Sequence, residues 1–128
     1  MSEQNSWCFV CGEENPIGLH LTFSEENETY ISTFTPGPEH QSYNGVLHGG
    51  IISTLLDEIM ARYLYAKGQT AVTAKLEVRF RAPTPIGQPL TIRGRIVGQK
   101  GSMYEMAGSI ALADGTVTAE SKALIAVV

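Results

Sequence analysis

Gly49-Gly50-Ile51-Ile52-Ser53-Thr54-Leu55-Leu56-Asp57-Glu58-Ile59-Met60-Ala61-Arg62-Tyr63-Leu64-Tyr65-Ala66 is the stretch on which the fold turns. Ile52, Leu55, Leu56, Ile59, Met60 and Tyr63 recur at spacings of three and four, and Ile51 and Leu64 widen the stripe until little polar face is left. The pattern predicts a helix of about 27 Å, buried on most sides. Lys67-Gly68-Gln69 ends it, with a glycine near the position that favours left-handed backbone. Asp57, Glu58 and Arg62 interrupt the apolar run, so it is not a membrane span.

On either side the period changes to two. Before the helix, Leu19, Leu21 and Phe23 alternate with His20, Thr22 and Ser24, and Thr29 to Thr35 is rich in β-branched and aromatic residues, so two paired strands are expected. After it, Thr70–Ala82, Pro89–Val97, Met103–Ala113 and Thr116–Val127 read as four strands, the last two joined by the hairpin signal Asp114-Gly115. In the first of these, Val72, Ala74, Leu76, Val78 and Phe80 form one face and Thr73, Lys75, Glu77, Arg79 and Arg81 the other. The order ββ-α-ββββ gives an α+β class: a curved antiparallel sheet whose apolar face is covered by the single helix. Small residues of the last strand, Ala119, Ser121 and Ala123, would let the helix lie close.

The chain is 128 residues long, the length of one domain spanning 1–128, with 43% hydrophobic residues and a net charge of −4. Nine basic against 13 acidic residues, with no basic run, argue against nucleic acid as a partner. The start Met1–Ser6 is polar, without an apolar signal core, so a cytoplasmic, reducing compartment is the default, with no membrane partner.

The chemistry is concentrated in Asn44-Gly45-Val46-Leu47-His48-Gly49-Gly50 and the helix that follows. Glycine costs about 1 kcal/mol relative to alanine inside a helix, so propensity does not explain Gly49 and Gly50. They either form a tight turn into the helix or let a ligand reach bare backbone N–H groups at the positive end of the helix dipole. His48 taken alone reads more readily as a structural histidine than as a catalytic one. Asp57 shares a narrow stripe with Gly50, Ser53, Thr54 and Ala61 and has no cation three or four residues away, whereas Glu58 has Arg62 four residues ahead. Asp57 therefore either bonds a group elsewhere in the fold or serves as nucleophile or general base.

Gly45-Val46-Leu47-His48-Gly49-Gly50 with Asp57 nine positions after the histidine, together with Cys8-Phe9-Val10-Cys11-Gly12, Asn15-Pro16-Ile17-Gly18-Leu19, Leu55-Leu56-Asp57-Glu58, Val78-Arg79-Phe80-Arg81-Ala82-Pro83 and Asp114-Gly115, resembles the hotdog-fold acyl-CoA thioesterase superfamily, in the branch of phenylacetate-pathway and 4-hydroxybenzoyl-CoA-type thioesterases. The resemblance implies dimers joined edge to edge, often paired into tetramers, with active sites at the dimer interface. It implies hydrolysis of an acyl-CoA to acid and free coenzyme A without metal or other cofactor, coenzyme A entering only within the substrate. Gly49 would donate its N–H to the thioester carbonyl, Asp57 would attack it or activate water, and His48 and Gly50 would help hold the turn and substrate. Many relatives carry an asparagine six residues before the histidine; here Ser42 stands there, with Gln41 or Asn44 beside it to supply an amide. Some use a hydroxyl that corresponds to Thr73, which alternation places on the polar strand face, so a bulge or a neighbouring subunit would have to bring it to the site.

Arg81, Arg79 and Lys100 are candidate contacts for coenzyme A phosphates or plain solvated charges. Trp7, Tyr43, Tyr63 and Tyr65 suit core filling or an acyl pocket. Cys8 and Cys11, without a second ligand pair in the sequence, read as reduced thiols rather than a metal site. The alternatives to hydrolysis are a non-catalytic acyl-CoA-binding module, and a hydratase-dehydratase acting on enoyl or 3-hydroxyacyl thioesters through His48 and Asp57.

Overall fold

The computed structural model describes residues 5–128; the polar start at 1–4 lies outside them. The elements follow the expected order: β1 (Ser24–Glu26), β2 (Thr29–Phe34), α1 (Gly49–Ala66), β3 (Ala71–Phe80), β4 (Leu90–Lys100), β5 (Met103–Ala111) and β6 (Val117–Val127). The strands form one six-stranded sheet in the order β1-β2-β4-β5-β6-β3, antiparallel throughout. The helix thus carries the chain across the sheet, from β2 to the far edge, where β3 pairs, among the described residues, with β6 alone.

α1 covers the expected 49–66, and Gly68 beyond it takes the left-handed φ of 88°. Ile52, Leu55, Leu56, Ile59, Met60, Tyr63 and Leu64 are buried against Leu90, Ile92, Met106, Ile110, Ala119, Ala123 and Ile125 of the sheet. The helix sits lowest over two glycines that face each other across β4 and β5, Gly94 and Gly108. A Cβ on Gly94 would lie 2.9 Å from the carbonyl oxygen of Ile59, and one on Gly108 would lie 2.7 Å from Ser121 Oγ and 3.3 Å from Leu56 Cδ2. Close approach therefore depends on the middle of the sheet as well as on the small residues of β6.

Two strand expectations need correction. The first strand begins only at Ser24; residues 19–23 instead hydrogen-bond through the N–H groups of Leu19 and Leu21 to the carbonyls of Phe9 and Val10. Their alternation reflects burial of Leu21 beside the N-terminal segment, not pairing with β2. In β3 the two-residue period breaks, because the register against β6 shifts between Thr73 and Lys75. Leu76 and Val78 turn inward as expected, but upstream of the shift Ala71 and Thr73 are the sheltered residues, while Val72 and Ala74 are exposed. An extra residue in one strand of an antiparallel pair produces this inversion.

The aromatics also divide. Tyr63 is buried, in a stack with Tyr30 and Phe23. Trp7 and Tyr43 are exposed, so neither fills the core. No helix among the described residues is long and apolar enough to cross a membrane.

Candidate active site

The start of α1 is held from below. Gln41 Oε1 accepts the N–H of Gly45 at 2.9 Å, and Gly45 takes a left-handed φ of 85° to turn the loop. Leu47 N–H then donates to the carbonyl of Thr84, and Ile86 N–H to that of Gly45, pinning the loop to 84–86. Thr84 is itself buried and bonded to Thr118 of β6. The sequence therefore enters the helix at a fixed angle.

His48 is the N-cap, with φ −60° and ψ 132°. Its Nδ1 accepts the N–H of Gly50 at 2.8 Å, which leaves the ring proton on Nε2. The N–H groups of Ile51 and Ile52 both turn to the carbonyl of His48. Gly49 N–H has no acceptor among the described residues, and the first turn contains no acidic side chain to offset the helix dipole. The two glycines differ in what surrounds them. A Cβ on Gly50 would crowd the capping imidazole at 3.1 Å, whereas one on Gly49 would meet only Phe80, at an ordinary 3.5 Å.

Two turns along the helix, Asp57 faces β3. The inversion described above points Thr73 inward, and its Oγ1 donates to Asp57 Oδ1 at 2.6 Å. A short hydroxyl-to-carboxylate bond orients the carboxylate and leaves its other oxygen for chemistry. The bulge, one of the two routes expected for Thr73, supplies this contact within one chain.

The remaining candidates are not gathered there. Asn44 is exposed on the loop, while Gln41, whose carbonyl oxygen is fixed by Gly45, keeps its amide NH₂ for another acceptor. Arg81 lies on the outer face of the sheet, ion-paired with Glu120, in a cleft of about 640 Å³ shared with Arg79, Arg93 and Arg95. Lys100 stands in register with Met103, which pairs with Ala126 at the Val72 end of the sheet, about 26 Å from the Phe80 end where Arg81 sits. One chain does not join these two cations. Nor does it join His48 to Asp57, which are separated by nine residues of one helix, about 13 Å.

The profile of the thioesterase superfamily matches residues 44–119, more than half of the sequence and the whole span from the lead-in loop to β6. The chain belongs to the thioesterase superfamily. Acyl-coenzyme A thioesterase THEM4 from Bos taurus is 27% identical over 90 residues, 69% of this chain and 37% of that protein. The match spans between 27% and 45% of the length of the first curated relatives. A crystallised thioesterase superfamily protein superposes with a TM-score of 0.88 at 29% identity, over 94% of this chain and 60% of its own. A thioesterase protein of Streptococcus pneumoniae TIGR4, crystallised with coenzyme A, superposes with a TM-score of 0.78 at 21% identity, over 84% of this chain and 85% of its own. Crystallised variants of that S. pneumoniae protein replace an aspartate in one case, and a threonine 16 residues later in another, with alanine. The architecture is the hotdog fold.

In this thioesterase-superfamily chain one cluster joins groups that the sequence treats separately, the thiols of Cys8 and Cys11 and the helix carboxylate of Glu58. Cys8 Sγ donates to both carboxylate oxygens of Glu58, at 3.7 and 3.8 Å, and Cys11 lies beside them. Both cysteines are free thiols, Cys11 buried and Cys8 half-buried. Burial pushes the Cys11 thiol up, and the neighbouring Glu58 pushes it further. Burial likewise raises Glu58, against the opposing pull of the thiols and the Arg62 guanidinium. Cys8 and Glu58 are 50 residues apart, so no local spacing could have linked them.

Proposed function

We propose that this chain hydrolyses an acyl-CoA thioester to a carboxylic acid and free coenzyme A. The observation that carries the reading is the Thr73–Asp57 hydrogen bond on a helix whose N-terminus holds one uncommitted N–H. The 16-residue spacing of Asp57 and Thr73 equals that of the aspartate and threonine replaced in the S. pneumoniae thioesterase, and the coenzyme A in its crystal supports the substrate class.

Helix geometry sets a further condition. Gly49 and Asp57 are eight residues apart, about 12 Å along the axis, whereas a reacting carbonyl has to lie about 3 Å from both groups. The site is therefore shared: Gly49 of one copy donates to the carbonyl, and Asp57 of a second copy acts on its carbon. The free edge of β3, on which Thr73 sits, supports edge-to-edge pairing as the way the copies meet.

In the general-base route, Asp57 takes a proton from water, the hydroxide adds to the carbonyl carbon, and Gly49 N–H holds the oxyanion. Collapse breaks the C–S bond, and the coenzyme A sulfur leaves with the proton that Asp57 took from water. In the nucleophilic route Asp57 itself adds, and water resolves the resulting anhydride. His48 keeps the cap in place, Gly50 gives it room, and the NH₂ of Gln41, which is not used by the Gly45 bond, serves as a donor to substrate. No step requires a cofactor.

The test is thiol release from a panel of short, aromatic and long acyl-CoAs. Asp57→Ala and Asp57→Asn are expected to lower kcat by about 10³-fold or more while Tm holds. Full activity in both variants removes Asp57 from the chemistry. Ligand-induced stabilisation without thiol release indicates a binding module instead, and hydration of an enoyl-CoA the hydratase reading.

A further inference from the structure

We propose that Cys8, Cys11 and Glu58 bind one divalent cation of the zinc class, with a fourth position open to water. One ligand atom from each residue lies within 4.8 Å of the other two. Tetrahedral coordination at the usual zinc bond lengths needs ligand atoms about 3.5–3.8 Å apart. The Cys8–Glu58 separations, 3.7 and 3.8 Å, already have that value.

The backbone around the cysteines is built to fold them back on each other. Gly12 N–H donates to the carbonyl of Cys8 at 2.9 Å, and a Cβ on Gly12 would lie 2.4 Å from Cys8 N and 2.5 Å from the carbonyl oxygen of Ser6. Only glycine closes this turn. Cys-x-x-Cys on a tight turn is a common two-ligand half of zinc sites, and the helix supplies the third ligand.

Charge and access agree. Thiols are the weakest side-chain donors, so as partners for a half-buried carboxylate they compensate it poorly. A divalent cation compensates it directly. Two thiolates and a carboxylate around such a cation leave one excess negative charge, and Arg62, whose charge already acts on Glu58, lies beside it. A cleft of about 400 Å³, lined by Cys11, His20, Tyr30 and Arg62 among others, reaches the cluster from solvent. The ion would clamp the N-terminal segment to α1 at the residue after Asp57, in a structural role separate from hydrolysis.

The experiment is metal analysis of the purified, reduced full chain, followed by titration of the chelator-stripped protein with Co²⁺. About one equivalent of zinc per chain is expected, with a thiolate-to-cobalt charge-transfer band that Zn²⁺ abolishes. Cys8→Ser and Glu58→Gln should each weaken binding at least about tenfold. The wild-type titration stands even if a variant fails to fold. Reduced wild-type protein that gives no charge-transfer band overturns the proposal, as does zinc whose affinity is unchanged in folded Cys8→Ser and Glu58→Gln.

Discussion

Gly49 and Gly50 are adjacent but are glycines for different reasons. At Gly50 the cause is inside the chain, the 3.1 Å approach of a Cβ to the His48 ring that caps the helix. At Gly49 nothing inside the chain demands a glycine, which leaves the space and the uncommitted N–H for something outside it. This separates stability from chemistry. Gly49 is the first helical residue and His48 before it is extended, the backbone that proline tolerates on both counts. Gly49→Pro should therefore keep Tm near that of the parent while kcat falls about 10²–10³-fold, because the N–H is deleted and a ring carbon takes its place. Unchanged thiol release in a folded Gly49→Pro protein would falsify the oxyanion role. The glycine pair and Asp57 were legible in the sequence because both break local rules. The resemblance assigned the N–H donor to Gly49 and a supporting part to Gly50, but the physical reason for a glycine at position 50 was not legible, since it depends on a ring folded back over the first turn.

Among the elements, the helix was read to its ends because apolar spacing and a terminal glycine are both local signals. The strands after it were read to within a few residues for the same reason. β3 was misread upstream of Lys75, since its sequence alternates without interruption through the point where the register shifts. Only the partner strand β6 reveals the extra residue, and with it the inward turn of Thr73. The seat of the helix was read in part, through the small residues of β6. Gly94 and Gly108 carry no local sequence signal, yet they set how closely α1 lies on the sheet. Gly94→Ala should push against the carbonyl of Ile59, a backbone atom that cannot rotate aside, and cost roughly 1–3 kcal/mol. Thermal denaturation should show Tm lowered by several degrees; an unchanged Tm would mean that the helix shifts without cost.

For the whole molecule, the proposed shared site would make assembly a condition of activity rather than an addition to it. Co-expressed Asp57→Asn and Gly49→Pro chains should recover about one quarter of wild-type thiol release, since about half the dimers are mixed and each mixed dimer rebuilds one of two sites. Recovery no greater than that of the individual variants would show that each chain acts alone. The Cys8–Cys11–Glu58 cluster escaped the sequence reading for a global reason as well: its members come from the N-terminal turn and the middle of the helix, joined only by the fold. The bare edge of β3 also bears on handling. Its ten residues of one-sided backbone, with Val72 and Phe80 exposed, offer ladder hydrogen bonds to an extended peptide as well as to a second copy. Lys75, Glu77 and Arg79 stand exposed along the same strand as gatekeepers. If two copies pair along that edge, aggregation should start from unassembled chains, whose fraction, though not whose concentration, falls as total protein rises.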